Sequence, residues 1–172
     1  MPSDAQVQEM WDKLEIREVL MRYARGLDRF DEELVASVYH DDGMDDHGGV
    51  PLSGRALARE VIGTINARYR ITRHLMTTML IEVDGDVART ETYYTACHRY
   101  RENGEEVQLT SDGRYLDRFE KRGGVWKIAY RWRVRDWTRL EKVTDGPPPR
   151  PGWLMGEKSM ADPLYKVFAA PR

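Results

Sequence analysis

The sequence predicts an α+β domain, a cone-shaped barrel in which a curved antiparallel sheet wraps around N-terminal helices. Helical periodicity is confined to the residues before 71, and long β-rich segments fill residues 71 to 140. Short glycine-containing turns divide those segments, which is the signature of a meander. A length of 172 residues makes one domain the default and lets it bury a core without staples.

The first helix opens with Ser3 and Gln6 at capping-box spacing and an acid, Asp4, in its first turn. Ile16, Val19, Leu20, Tyr23 and Leu27 recur at steps of three or four, the stripe of a helix packed on one face. Gly26 weakens its end. Asp31 is placed to cap a second, short helix over residues 32–40. The following stretch, YHDDGMDDHGG, reads as turn chemistry, with His40, Asp41 and Asp42 as cap and turn residues. Ser53 caps a third helix over residues 55–69. Four strands follow, and the last alternates: Lys127, Arg131, Arg133 and Arg135 on one side, Ile128, Tyr130, Trp132 and Val134 on the other. Three prolines at 147–149 end it. The sequence thus divides into a domain at 1–144 and a Pro-rich arm at 145–172. Trp153, Leu154, Tyr165 and Phe168 in that arm predict that it packs on its own domain or on a neighbouring subunit.

Composition removes several classes. Hydrophobic residues are 41 % and charged residues 33 %, a globular balance. A net charge of −2 gives no nucleic-acid or membrane footprint. No apolar run approaches the roughly 20 residues that span a bilayer, and the N-terminus lacks the apolar core of a signal peptide. The single cysteine, Cys97, fits a reducing compartment and reads as a small buried hydrophobe. The expectation is a cytoplasmic protein. GxGxxG, P-loop, HExxH and GxSxG motifs are absent, and no zinc-ligand spacing is met, so no cofactor and no metal are expected. A sheet rolled around helices encloses a conical cavity, which suits a small apolar ligand with a few polar groups.

Two stretches carry a resemblance. YARGLDRFDEELVASVYHDDG resembles the opening, and RYLDRFEKRGGVWKIAYRWRVRDW the closing hairpin, of SnoaL-like proteins in the nuclear transport factor 2-like superfamily. The resemblance covers roughly residues 8 to 140. It implies kinship with scytalone dehydratase, hexachlorocyclohexane dehydrochlorinase and bile-acid 7α-dehydratase, cofactor-independent enzymes of small hydrophobic substrates. The superfamily also holds non-catalytic ligand binders and small subunits of ring-hydroxylating dioxygenases, so the fold leaves both alternatives open.

The resemblance implies a catalytic set of Asp28, His74 and Tyr23. Asp28 stands where these enzymes keep an Asp at the end of the first helix, and His74 where they keep a His at the start of the sheet. An Asp that accepts one ring N–H leaves the other nitrogen as a base near neutral pH. Tyr23 has two readings, a core tyrosine or a proton donor. Arg131 and Arg135 fall near arginines of the relatives and are expected to bind substrate. His98 reads either as a second acid–base group or as a solvent-facing strand residue. His47, with Asp46, is expected at the pocket mouth. The bile-acid enzyme's catalytic Asp falls near Cys97, a departure from that mechanism. The activity expected is a lyase, dehydratase or isomerase acting on a small hydrophobic substrate. The trimers and dimers of the superfamily imply a homo-oligomer.

Overall fold

The computed structural model describes residues 1–144, 146–159 and 161–169; Asp145, the first residue of the expected arm, lies outside them. Helix α1 spans Asp4–Arg29. Ser3 Oγ accepts from the Gln6 N–H at 3.3 Å and Gln6 Oε1 from the Ser3 N–H at 2.9 Å, so two of the free donors at the helix start are satisfied. Its stripe of Ile16, Val19, Leu20, Tyr23 and Leu27 is buried. Helix α2, Glu32–Ser37, starts under the Asp31 carboxylate, which accepts from the Leu34 N–H at 2.9 Å. A Cβ on Gly26 would lie 2.6 Å from Val35 Cγ2, so glycine is what lets the two helices approach there. Helix α3 spans Gly54–Arg68, with Ser53 as its cap.

The stretch read as turn is mostly a strand. Helix α2 stops at Ser37, short of the expected residue 40, and β1 runs over Tyr39–Asp46. It pairs briefly with β2, Leu52–Ser53. Four long strands follow: β3 Ile71–Asp84, β4 Val87–Glu102, β5 Glu105–Arg122 and β6 Val125–Lys142. The sheet order is β2-β1-β6-β5-β4-β3. All neighbours are antiparallel except β1 and β6, so the sheet is mixed rather than purely antiparallel. Its ends, β2 and β3, do not pair, and the barrel is open. Asp, His and Gly have low strand preference; β1 exists because β6 supplies its backbone partners.

The helices cover one face of the sheet. There Tyr94, Ala96, Tyr115, Phe119, Trp126 and Ile128 join Ile16, Leu20 and Leu27 in one core. The simple alternation expected for the last strand is broken by a bulge. Register passes from Ile128↔Phe119 to Tyr130↔Arg118 and leaves Ala129 unpaired. Ile128 and Arg131 therefore both face inward, while Tyr130 and Trp132 pack at a tilt on the outer face with centroids 4.1 Å apart. A second irregularity at Asp136 keeps Arg135 and Thr138 turned to the same interior cavity.

The C-terminal residues return to their own domain. Lys158 donates to the carbonyls of Asn66 and Tyr69 at 3.3 and 3.0 Å, at the end of α3. A last helix, α4 at Pro163–Ala169, follows Asp162, which pairs with Arg29 at 3.4 Å. The Arg25 guanidinium lies 5.7 Å from the Tyr165 ring centroid and 4.6 Å from that of Phe168. Trp153, Leu154 and Phe168 nevertheless stay exposed. Among the described residues, no helix is long and apolar enough to cross a membrane.

Candidate active site

A cavity of about 710 Å³ lies between the inner face of the sheet, the C-terminal half of α1, α3 and the 47–52 segment. Its lining mixes apolar side chains (Leu27, Leu57, Val61, Ile65) with Tyr23, Asp45, His47, His74, His98, Ser111, Arg133 and Arg135.

Asp28 and His74 meet at this cavity. The end of α1 delivers the carboxylate and the start of β3 the ring, and His74 Nδ1 lies 2.7 Å from Asp28 Oδ1. The His74 backbone N–H donates to both oxygens of Asp28 at 3.0 Å, which fixes the carboxylate against the strand. An ionised carboxylate only accepts, so Nδ1 carries the proton and Nε2 is left with its lone pair. The His74 side chain is 6 % exposed.

Tyr23 forms the floor, edge-on to Tyr39 and Tyr115 with centroids 6.3 and 5.7 Å away. Burial, reinforced by the nearby Asp45 charge, pushes its pKa up to about 12, against the opposing pull of Arg131. Its hydroxyl is thus neutral at pH 7, with Arg131 and Tyr115 as its polar neighbours. Beneath the floor lies Arg131, fully buried between the Tyr23 and Tyr115 rings at 4.3 and 4.1 Å. It makes a two-pronged bond to the buried Asp117, at 2.6 and 2.8 Å. Burial works against its charge, and Asp117 overcomes that, holding the guanidinium well above its ordinary pKa. Arg131 was expected to bind substrate; the bulge at Ala129 instead turns it into the core, where it supports the floor. Arg135 does line the cavity, and so does Arg133, whose Nε donates to the Tyr94 hydroxyl at 3.0 Å.

His98 is buried on the inner face, not turned to solvent as one of its readings had it. It shares a hydrogen bond between Nδ1 and the Thr72 hydroxyl at 2.7 Å and stacks on Tyr69 at 4.4 Å. Burial, then the charges of His74, Arg133 and Arg68, lower its pKa to about 3. It is a neutral wall of the cavity at pH 7. His47 lines the cavity as expected of a pocket-mouth residue, Asp46 does not, and the carboxylate bonded to His47 is that of Asp45. Asp45 Oδ1 receives His47 Nδ1, and Oδ2 receives the Tyr39 hydroxyl at 2.5 Å. Asp46 bonds the Gly48 N–H in a turn, His40 bonds the Glu120 carbonyl, and Asp42 pairs with Arg122. Cys97 is half-buried on the opposite face from His98 rather than buried.

Sequence reasoning missed Asp45, Ser111 and Arg133 as cavity residues. Asp-x-His spacing puts Asp45 and His47 on one side of an extended segment, but only once that segment is known to be extended. Ser111 Oγ is buried without a hydrogen-bond partner. Two residues along the same strand, a Cβ on Gly113 would sit 2.8 Å from the Tyr94 hydroxyl, so glycine leaves room for the Tyr94–Arg133 bond.

The profile of the SnoaL-like domain matches residues 8–132. No curated protein sequence matches the chain. Solved structures do. A protein of unknown function from Mycobacterium tuberculosis is 33 % identical, with a TM-score of 0.62 over 76 % of this chain and 75 % of that one. A protein named as a scytalone dehydratase from Novosphingobium aromaticivorans is 22 % identical, with a TM-score of 0.67 over 81 % and 94 % of the two chains. A hexachlorocyclohexane dehydrochlorinase from Novosphingobium barchaimii is 18 % identical, with a TM-score of 0.70 over 83 % and 99 %. A profile match over most of the chain places the protein in the SnoaL-like domain family.

Proposed function

We propose that the protein is a lyase of the dehydratase type, acting on a small, largely hydrophobic substrate without a cofactor. The observation that carries this reading is the His74–Asp28 pair at the edge of the cavity. Asp28 holds His74 in one tautomer and stabilises the imidazolium that forms when Nε2 takes a proton. The proton is one next to a carbonyl or an aromatic ring, and loss of a leaving group from the neighbouring carbon completes the elimination. Negative charge that develops on the substrate oxygen is met by the hydroxyl residues that line the cavity, Tyr23 and Ser111. Arg133 and Arg135 add positive charge to the same wall. The apolar residues of α1 and α3 hold the rest of the molecule. The dehydratase and the dehydrochlorinase named above share this fold, which supports the class of reaction.

The test is incubation of the full chain with a panel of bicyclic and tricyclic β-hydroxy ketones, read by mass spectrometry for loss of water. Elimination is expected with the wild type, and His74→Ala is expected to slow it by about 10²- to 10⁴-fold, the ordinary worth of a positioned base. Asp28→Asn is expected to slow it too, with little change in KM. Ketones that bind equally well to wild type and His74→Ala, with no turnover by either, would instead make the protein a ligand carrier.

A further inference from the structure

The cavity holds a second histidine–carboxylate pair, and it stands on the far side from the first. His74 is on β3, at one end of the sheet; Asp45 is on β1, next to the other end, with His47 just beyond it. Three strands separate β1 from β3. We propose that His47 is the general acid of the same reaction, delivering a proton to the leaving oxygen while His74 removes the proton from carbon. This rests on the elimination reading above.

Three features of the site carry it. Asp45 is 1 % exposed and spends its two oxygens on His47 Nδ1 and the Tyr39 hydroxyl, so it fixes the ring and leaves Nε2 as the free edge. His47 itself keeps 22 % exposure, enough to exchange protons with water between turnovers. The third is charge. Arg131 gives both of its prongs to Asp117, while the buried carboxylate of Asp45 is bonded to the His47 ring. A buried carboxylate needs a hydrogen-bonded partner able to balance its charge, and the His47 ring stands in that place. The balance then closes. His74 Nε2 takes a proton from carbon, the C–H pair becomes the C=C bond, and the C–O bond breaks with its electrons. The departing hydroxyl takes the His47 proton and leaves as water. His74 passes its proton to solvent and His47 regains one.

The test compares leaving groups on one skeleton: a β-hydroxy tetralone and its acetate ester, which both give naphthol on elimination. Hydroxide needs a proton to leave; acetate does not. His47→Gln is expected to slow the alcohol by about 100-fold and the ester by less than about 5-fold, whereas His74→Ala slows both. Asp45→Asn, which acts through His47, should show the same split in kcat with KM little changed. Equal losses on the two probes in His47→Gln overturn the proposal, as does a wild type that eliminates from the ester only. A second readout needs no turnover. With nitrogen-labelled histidine and added naphthol, the Nε2 resonances of both His47 and His74 are expected to move. Movement of His74 alone removes His47 from the site and leaves the base in place; movement of neither sinks both readings.

Discussion

His98 illustrates how one residue type takes different roles within one cavity. Tyr69 covers one face of its ring, Thr72 holds Nδ1, and His74, Arg133 and Arg68 are the charged groups around it. In the unfolded chain it takes up a proton as pH falls through about 6.5; in the folded chain it does so only near 3. Between those values the unfolded state binds more protons, so stability drops as pH drops, by up to about 1.4 kcal/mol per pH unit from this group. Urea denaturation of wild type and His98→Gln at pH values between 4 and 7 should therefore give a flatter stability profile for the variant, within the roughly one-proton slope a single histidine can contribute. Parallel profiles would mean that His98 is not held neutral. His74 and His47 each stand against a carboxylate instead.

Elements explain which parts of the site could be read from the sequence. The capping box of α1, its buried stripe and the Asp31 and Ser53 caps are local patterns, and each stands in the structure as the spacing implies. The four long strands follow from composition and turns in the same way. Strand β1 does not, because its partner strand is the last one in the chain and its own residues favour turns. The bulge at Ala129 leaves no local mark either, and with it went the facing of Arg131. Asp28 and His74, 46 residues apart, were paired through family resemblance; no spacing rule joins them. Asp45 was lost with β1. The junction of α3 and β1 has its own test. A Cβ on Gly54 would lie 2.2 Å from Tyr39 Cγ, so Gly54→Ala must push the Tyr39 ring and with it the bond to Asp45. Thermal denaturation should show a loss of about 1–3 kcal/mol, the usual cost of overpacking. An unchanged Tm would mean that the helix start and the strand can part without cost.

The whole molecule leaves two apolar surfaces uncovered. On α1, Val7, Met10, Trp11 and Leu14 are exposed at helical spacing, away from the buried stripe. On the outer face of the sheet, Tyr93, Trp132 and Trp137 are exposed as well. Contiguous apolar surface of this kind marks association sites, and the proposal is a homo-oligomer, a trimer or a dimer. Light scattering should give a multiple of the 20.1 kDa chain mass, reduced by Trp11→Glu with Leu14→Glu. A monomeric wild type removes the proposal. The parallel pairing of β1 with β6 also bears on how the protein is made. A ribosome delivers β1 early and its partner β6 last, so the strand that carries Asp45 cannot complete its pairing until nearly the whole domain has emerged. Throughout that interval the side of β1 that will meet β6 is an open edge. Its aspartates, its histidine and its glycine, poor material for a strand, are good material for one that must wait in water without sticking to its neighbours.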